Sequence, residues 1–268
     1  MIQLLPLGAW TEFRGASERK GQNHTTHQAV ITDAGGQQHK CYVKASPPGF
    51  PMPFAEALAW LVADALDLPR PTFAALVEIS IPELRKHMAL DQHWMRHATV
   101  LAFCCSAVDG KHINSAWRWL ERMRTAKALL HEDVARIAAF DLWVENQDRH
   151  TGNFLRTKAG DYVPIDNELI LYSLLWLANG FSYAHNSLVA QAHATLKTPG
   201  YTKFEVSMVL ASKHHEAAFR KVTPALQQFV AALIADPAQA AATTTAILQF
   251  LAQRAHPDWL AIKLGRIP

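Results

Sequence analysis

The chain has 268 residues, of which 50% are hydrophobic and 18% are charged, and its formal net charge at pH 7 is +3. This composition is typical of a soluble globular protein with an ample core, and it excludes a disordered or fibrous chain. Because the charge is modest and neither a helix-turn-helix pattern nor a basic run is present, the sequence predicts no direct binding to nucleic acid.

The first half of the chain is predicted to be rich in strands. Residues 27–32 and 39–45 are β-like runs separated by a Gly-containing turn at 33–37, a pattern that predicts a hairpin. An Ala/Leu-rich run at 54–66 has helical apolar spacing and ends before Pro69. Residues 98–108 then form a continuous apolar run bounded by Asp109-Gly110.

The second half is predicted to be mainly helical. Helices are predicted at residues 117–130, 133–145, 206–213, 224–235 and 238–255. Between the second and the third of these lie two short strand-like runs, 153–156 and 162–165, joined by a turn at 158–161. A β-rich front and a helical back predict an α+β fold.

The most informative segment is residues 146–153, Asn-Gln-Asp-Arg-His-Thr-Gly-Asn. Asp148 is followed five residues later by Asn153, and Asp166 lies thirteen residues beyond Asn153, after the predicted strand pair. Phosphoryl transfer needs a carboxylate beside the acceptor hydroxyl and oxygen ligands that hold Mg²⁺ against the phosphates of ATP. Kinases supply these groups from an Asp, an Asn five residues on and a second Asp beyond a hairpin. The spacing therefore predicts a phosphotransferase.

The form Asn146-x-Asp148-Arg149-His150-x-x-Asn153 resembles the catalytic loop of HipA-like kinases, which share it with phosphatidylinositol 3- and 4-kinases. The resemblance covers the whole chain and points to the short, single-domain members. It implies a bilobed protein-kinase-like fold with a small β-rich N-lobe at residues 1–102, a hinge at 103–108 and a larger α-helical C-lobe at 109–268. It further implies that ATP and Mg²⁺ are the cofactors.

The resemblance also implies roles for individual residues. Asp148 would accept or orient the proton of the acceptor hydroxyl, Asn153 and Asp166 would bind Mg²⁺, and His150 would help to shape the loop. Lys44, which ends the second predicted strand, would contact the α- and β-phosphates of ATP, with Glu56 on the next helix as its partner. Taken alone, Lys44 also fits a solvated strand-end lysine, and Glu56 a charge on a helix surface.

Two further parts of the ATP site are expected in the first half. The backbone of the apolar run, at Phe103 and Cys105, would bond to adenine. No G-x-G-x-x-G motif precedes the first hairpin, so residues 14–23, with Gly15 and Ser17, are the candidate phosphate-covering loop. The same stretch also fits a mobile basic loop. Some HipA-like kinases autophosphorylate a serine in this region, which makes Ser17 a candidate for that modification.

The family points to a serine or threonine on a protein as the acceptor. Some members are toxins that arrest translation by modifying aminoacyl-tRNA synthetases, so an antitoxin is a candidate partner. Asp166 is followed by Asn167-Glu168 rather than Phe-Gly, and no separate antitoxin-binding domain is visible, so regulation is expected to differ. Two alternatives remain: a small-molecule or lipid kinase, and an ATP-binding pseudokinase that acts as an interaction module.

The compartment is inferred from the chain start and from Cys41, Cys104 and Cys105. The first residues lack the basic start and long apolar stretch of a secretion signal, and the apolar run at 169–178 is too short to cross a bilayer. The cysteines have no spacing typical of disulfides or zinc, and the fourteen histidines lack partners at ligand spacing. We expect a cytoplasmic protein with reduced cysteines, no zinc site and no membrane partner.

Overall fold

The chain divides into two compact units. A computed structural model describes residues 2–16, 25–113 and 118–267. The first unit comprises Met1–Ala57 and Pro71–Val108, and the second comprises Leu58–Arg70 and Asp109–Pro268. The N-terminal part is rich in sheet and the C-terminal part is mainly helical, which confirms the predicted α+β character.

A six-stranded sheet forms the centre of the first unit. Its strands are β1 (Gln3–Leu5), β2 (Trp10–Ala16), β3 (His27–Thr32), β4 (Gln38–Ala45), β5 (Ala74–Ser80) and β6 (Thr99–Ser106). Their order across the sheet is β1-β5-β6-β4-β3-β2, with β1 parallel to β5 and all other neighbours antiparallel. The first unit also contains α2 (Ile81–Arg85) and a 3₁₀ helix at Trp94–Arg96, whereas α1 (Met52–Ala65) contributes to both units.

The predicted hairpin is confirmed as β3 and β4, in which His27 lies opposite Val43. In the turn between them, the carboxylate of Asp33 accepts hydrogen bonds from the backbone N–H groups of Gly35 and Gln37. Gly36 completes the turn with φ of +82°, a conformation that glycine adopts without a steric penalty. Local turn chemistry therefore sets the register of these two strands.

One face of the sheet is buried, and on β4 the residues of that face alternate with exposed or half-buried residues. On β4 the buried residues are Cys41, Val43 and Ala45, and on β6 the buried Cys104 lies opposite Val43 and the buried Ala102 opposite Ala45. Successive side chains of a strand point to opposite faces, so Lys44 lies on the face opposite this core. Full burial of a valine side chain such as Val43 contributes roughly 1.5–3 kcal/mol, so this face stabilises the unit.

Strand β6 corrects the prediction for the hinge. Residues 103–106 are the second half of a central strand: Phe103 lies opposite both Lys44 and Leu76, and Cys105 lies opposite Tyr42 and Ala74. Their backbone groups therefore belong to the sheet ladders and not to a connection that could bond to adenine. The prediction is wrong for these residues because an apolar strand and an apolar connection contain the same types of residue.

The second unit consists of helices and one small sheet. Its helices are α3 (Arg118–Leu129), α4 (Glu132–Trp143), α5 (Tyr172–Leu175), α6 (Leu188–Thr195), α7 (Thr198–Ser212), α8 (His215–Leu233), α9 (Pro237–Ala255) and α10 (Trp259–Lys263). A 3₁₀ helix lies at Leu177–Asn179. The sheet consists of β7 (Gly110–His112), β8 (Phe154–Thr157) and β9 (Tyr162–Pro164) in that order, and all neighbours are antiparallel. None of the described helices is both long and apolar enough to cross a membrane.

Helix α4 is the central helix of the second unit, and the chain continues from its end into residues 146–153. It is buried along most of its length and packs against α7. Its last residue, Trp143, donates from Nε1 to the carbonyl oxygen of Leu251 on α9 at 2.9 Å. At its other end, the carboxylate of Asp133 accepts from the backbone N–H of Tyr162 at 3.0 Å, which fixes β9 against the helix. Residues 144–153 therefore start from a rigid support.

Several helix boundaries differ from the predictions. Helix α7 starts at Thr198 instead of residue 206, and α8 starts at His215 and continues through Pro224, the predicted first residue. Helices α5, α6 and α10 were not predicted from the sequence. The predicted start of the first helix of this half, Trp117, lies outside the described residues.

Candidate functional site

The loop that follows α4 is fixed by a buried amide. Asn146 donates from Nδ2 to the Asp141 carboxylate at 2.9 Å, and its Oδ1 accepts the backbone N–H of Asp148 at 3.1 Å. Asn146 and Asp141 are both buried, whereas Asp148 is half-buried. Since the amide uses both ends, it holds the backbone of Asp148 at a set distance from α4.

Arg149 forms the structural centre of the loop and is fully buried. Its Nε donates to both carboxylate oxygens of Asp141, at 3.0 and 3.2 Å, and its Nη1 donates to the carbonyl oxygens of Asn153 at 2.7 Å and Ile165 at 2.6 Å. Its Nη2 donates to Oδ1 of Asn167. One guanidinium thus joins the loop to the segment that follows β9, a use that suits its planar fork of donors.

Opposing effects act on the pKa of Asp141, the buried carboxylate that pairs with Arg149. Burial raises the pKa of Asp141, while the charge and hydrogen bonds of Arg149 and the hydrogen bond from Asn146 oppose this shift. Burial dominates because removing a carboxylate from water disfavours its charged form. The hydrogen bonds to Asp141 and Arg149 are therefore needed to offset the cost of burying this ion pair.

Asn153 and Asp166 come from the two ends of the β8–β9 hairpin, which the sequence predicts to within a residue at most boundaries. Asn153 donates from Nδ2 to the carbonyl oxygen of Asp148 at 2.9 Å. Because the amide nitrogen is used in this way, Oδ1 is the side-chain atom that could bind a cation. The backbone N–H of Ile165 donates to the carbonyl oxygen of Asn153 at 2.9 Å. The hairpin therefore closes directly beside the loop.

Asp166 has a left-handed backbone with φ of +56°. Residues other than glycine rarely adopt this conformation, although Asp and Asn tolerate it best. Arg149 holds both neighbours of Asp166, through the carbonyl oxygen of Ile165 and the side chain of Asn167. Strained conformations of this kind persist where the surroundings over-determine them, as they do at many functional sites.

Two residues that the sequence reasoning missed contact the loop: Asn186, which precedes the N-cap of α6, and Gln191 on α6. Asn186 donates from Nδ2 to Oδ1 of Asp148 at 2.9 Å, and Gln191 accepts the backbone N–H of Thr151 at 3.2 Å. The available signal was the run beginning Ser187-Leu188, since Ser is a favoured N-cap before helix-forming residues. That signal predicts the helix but not its contact with Asp148.

His150 makes hydrogen bonds within the loop. Its Nδ1 accepts the backbone N–H of Gly152 at 3.0 Å, and its carbonyl oxygen accepts the backbone N–H of Asn153 at 2.9 Å. These bonds close the turn that carries Asn153. The ring atom Nδ1 must be unprotonated to accept, so the contact also sets the tautomer of the neutral ring.

Lys44 and Glu56 form an ion pair within the first unit. The Lys44 side chain is 11% exposed and the Glu56 side chain 3%, which excludes the readings of a solvated lysine and a helix-surface glutamate. Desolvation makes a pair of this kind a weak source of stability. It is better explained as a device that fixes the position of the Lys44 ammonium group.

The expected phosphate-covering loop is only partly described. Strand β2 continues through Ala16, so Gly15 is a strand residue opposite Gln28, and a register irregularity lies between Phe13 and Gly15. Its φ of +146° is a conformation that favours glycine. The prediction of a loop that starts at residue 14 is therefore wrong for residues 14–16, and Ser17 lies outside the described residues.

The donor set of the second unit suits a hard cation. No group of three or more His, Cys, Asp or Glu residues within the described ranges could hold a metal ion by itself. Mg²⁺ does not require one, because it is typically bound by one or two protein oxygens together with substrate phosphates and water. The amide of Asn153 and the carboxylate of Asp166 are oxygen ligands of this kind and fit that chemistry.

Comparison of the chain with protein-family models and with curated protein sequences gave no match. Inference about function therefore depends on the chain's own residues. The relevant groups are Asp148, Asn153 and Asp166 in the second unit and the Lys44–Glu56 pair in the first.

Proposed function

We propose that this protein is an ATP-dependent phosphotransferase of the HipA-like type that modifies a serine or threonine on a protein. The single observation that carries the proposal is the buried Arg149, which bonds to Asn153 and to both neighbours of Asp166. A surface turn with scattered charges would have no reason to bury a guanidinium at its centre, because the desolvation cost is several kcal/mol, in order of magnitude. A catalytic loop that must hold two oxygen ligands in fixed positions does have such a reason.

Each residue has a distinct role in this proposal. The carboxylate of Asp148 accepts the proton of the acceptor hydroxyl, and Lys44 neutralises charge on the phosphates of ATP. Glu56 holds the ammonium group of Lys44, so the lysine is already oriented before ATP binds. These roles require that the side chains be correctly positioned and charged, and none of them requires a covalent bond to the protein, which is typical of phosphoryl transfer.

Asn153 and Asp166 are the residues that would hold Mg²⁺. A bound Mg²⁺ neutralises charge on the phosphate oxygens of ATP. The hydrogen bond from Asn153 Nδ2 to the carbonyl oxygen of Asp148 supports this assignment, because it orients the amide oxygen as the ligand atom. The contacts of Arg149 beside Asp166 support it as well, because they hold the backbone that carries the second ligand.

Transfer from γ-labelled ATP with Mg²⁺ tests the proposal. We would incubate the wild type, Asp148→Ala, Asp166→Asn and the control Asp161→Ala alone and with a bacterial lysate. Asp161 is an exposed carboxylate in the turn of the same hairpin. We expect label on the protein or on a lysate band with the wild type and with Asp161→Ala only.

The outcomes separate the candidate activities. Undiminished labelling by Asp148→Ala and Asp166→Asn would refute the proposal. Label in the metabolite or lipid fraction, lost in Asp148→Ala, would keep the phosphotransferase and change the class of acceptor. ATP binding by the wild type without any transfer would indicate a pseudokinase that serves as an interaction module.

A further inference from the structure

Asn186 forms hydrogen bonds to Asp148 and to both of its neighbours in the chain. Its side chain donates to Oδ1 of Asp148 at 2.9 Å, its backbone N–H donates to the carbonyl oxygen of Gln147 at 2.8 Å, and its carbonyl oxygen accepts the backbone N–H of Arg149 at 3.0 Å. The last two bonds form a parallel bridge between Asn186 and Asp148. The side-chain contact is therefore built on a fixed backbone.

Helix α6 anchors Asn186. Ser187, the next residue, caps this helix by accepting the backbone N–H of Ala190 at 3.2 Å. Leu188 and Ala192 are buried in the core of the second unit. Gln191, on the same helix, accepts the backbone N–H of Thr151 at 3.2 Å. Helix α6 thus supports the loop at two points, one on each side of Arg149.

We propose that Asn186 is a positioning residue that orients the carboxylate of Asp148, an inference that rests on the proposed function. The terminal torsion of an Asp side chain is broad, so the carboxylate alone does not specify which oxygen faces the acceptor. The donor on Oδ1 fixes this torsion and assigns proton acceptance to Oδ2. General-base catalysis depends on such alignment because the base must lie within hydrogen-bond reach of the proton.

The acceptor hydroxyl oxygen forms a bond to the γ-phosphorus of ATP while its proton passes to Oδ2 of Asp148. The bond between the γ-phosphorus and the β–γ bridging oxygen breaks, and ADP leaves with that oxygen and its electron pair. Asn186 takes no part in bond making and acts only through Asp148.

Asn186 also lies at the end of the segment that connects β9 to α6. The segment between β9 and α6 is held near its start by the bond from Arg149 to Asn167 and at its end by Asn186. The alignment of Asp148 therefore depends on how the end of this segment is docked.

Asn186→Ala and Asn186→Asp test the role, with Asn179→Asp as the matched control. Asp has nearly the shape of Asn but cannot donate at this position and adds a like charge beside Asp148. Asn179 lies exposed in the same segment and donates to Leu175 instead. We expect both Asn186 variants to lower kcat about 10- to 100-fold with KM for ATP within about twofold, because misalignment affects the reacting groups and not nucleotide binding. Asn179→Asp should match the wild type.

A spectroscopic measurement does not depend on turnover. The side-chain amide signal of Asn186 in ¹⁵N-labelled protein, identified by its loss in Asn186→Ala, should shift in Asp148→Ala because its acceptor is removed. An unshifted signal, or kcat of both Asn186 variants equal to that of the wild type, would overturn the proposal. If the wild type transfers no phosphate, the proposed function fails, and the amide signal alone then decides whether Asn186 holds Asp148.

Discussion

The Nε atom of Arg149 lies 3.0 and 3.2 Å from the two carboxylate oxygens of Asp141, and both side chains are buried. A buried ion pair of this kind adds little stability by itself, because desolvation offsets its attraction. Its value here is positional, since the remaining donors of the same guanidinium bind Asn153, Ile165 and Asn167. Removal of one partner should therefore affect both stability and the candidate site.

Arg149→Met should destabilise the protein by roughly 3–5 kcal/mol, because it leaves the carboxylate of Asp141 buried and unpaired. The free energy of unfolding in urea measures this change. Arg156→Met is the control, because Arg156 is exposed on β8 and its replacement should cost about 0.5 kcal/mol or less. The double variant Asp141→Asn with Arg149→Met should recover part of the loss, since no buried charge remains. A cost below about 1 kcal/mol for Arg149→Met would contradict the pairing.

Under the proposed function, Lys44→Met should lower the rate of phosphate transfer about 100-fold or more, because a charged donor to the phosphates is lost. Glu56→Gln should lower it less, since the lysine keeps its charge but loses its ionic partner. Initial rates and ATP affinity, measured for each variant, test both statements. Lys40→Met provides the control, as Lys40 is an exposed residue of the same strand. Equal losses in Lys40→Met and Lys44→Met would show that charge alone, and not position, matters.

The protein should lose stability as the pH falls below 6.5 because of His215. This residue is 2% exposed and stacks on Trp143 with ring centroids 4.6 Å apart, and burial lowers its pKa from 6.5 to about 3. The unfolded chain takes up a proton below pH 6.5 that the folded protein refuses until about pH 3, so the free energy of unfolding decreases across that interval. Between pH 6.5 and pH 5 this residue should account for about 2 kcal/mol.

Urea unfolding of the wild type and His215→Phe at both pH values isolates the contribution of His215. Phe keeps the stacking on Trp143 but does not titrate, so the variant should show a smaller decrease between the two pH values. His97→Phe, at an exposed position, should behave like the wild type. If the pH dependence of His215→Phe equals that of the wild type, then another group causes the acid sensitivity.

Pro224→Ala should stabilise the protein by about 1 kcal/mol or more, because a proline inside a helix removes one backbone hydrogen bond and clashes with the preceding turn. Pro224 is exposed in the middle of α8, so the smaller side chain leaves no cavity. Pro237→Ala is the matched control, since Pro237 is the first residue of α9, where proline is favoured. The midpoint of thermal unfolding should rise for Pro224→Ala and not for Pro237→Ala.

Local signals account for what the sequence predicted well. The turn at residues 33–37, the alternation along β4 and the apolar periodicity of α4 each arise from neighbours in the chain, and the corresponding elements were found where expected. The spacing of Asp148, Asn153 and Asp166 is also local, because only a short hairpin separates them. The hydrogen bonds that join the loop to that hairpin follow from this proximity.

Contacts between distant segments account for what was missed. Asn186 lies 38 residues from Asp148, and nothing in its neighbourhood distinguishes it from any other loop asparagine. The central position of β6 is set by pairing with two other strands, which composition alone does not reveal. Helix α8 tolerates Pro224 because one face of the helix is buried along its length, so tertiary packing overrides the local preference.

The left-handed backbone of Asp166 also limits which residues can replace it. Asn and Gly can adopt that conformation at little cost, whereas β-branched residues such as Val and Ile cannot. Under the proposed function, a lineage that lost phosphate transfer but kept this fold would therefore exchange the carboxylate for Asn or Gly far more readily than for an aliphatic residue. Descendants without activity should then be recognisable by the identity of this one position.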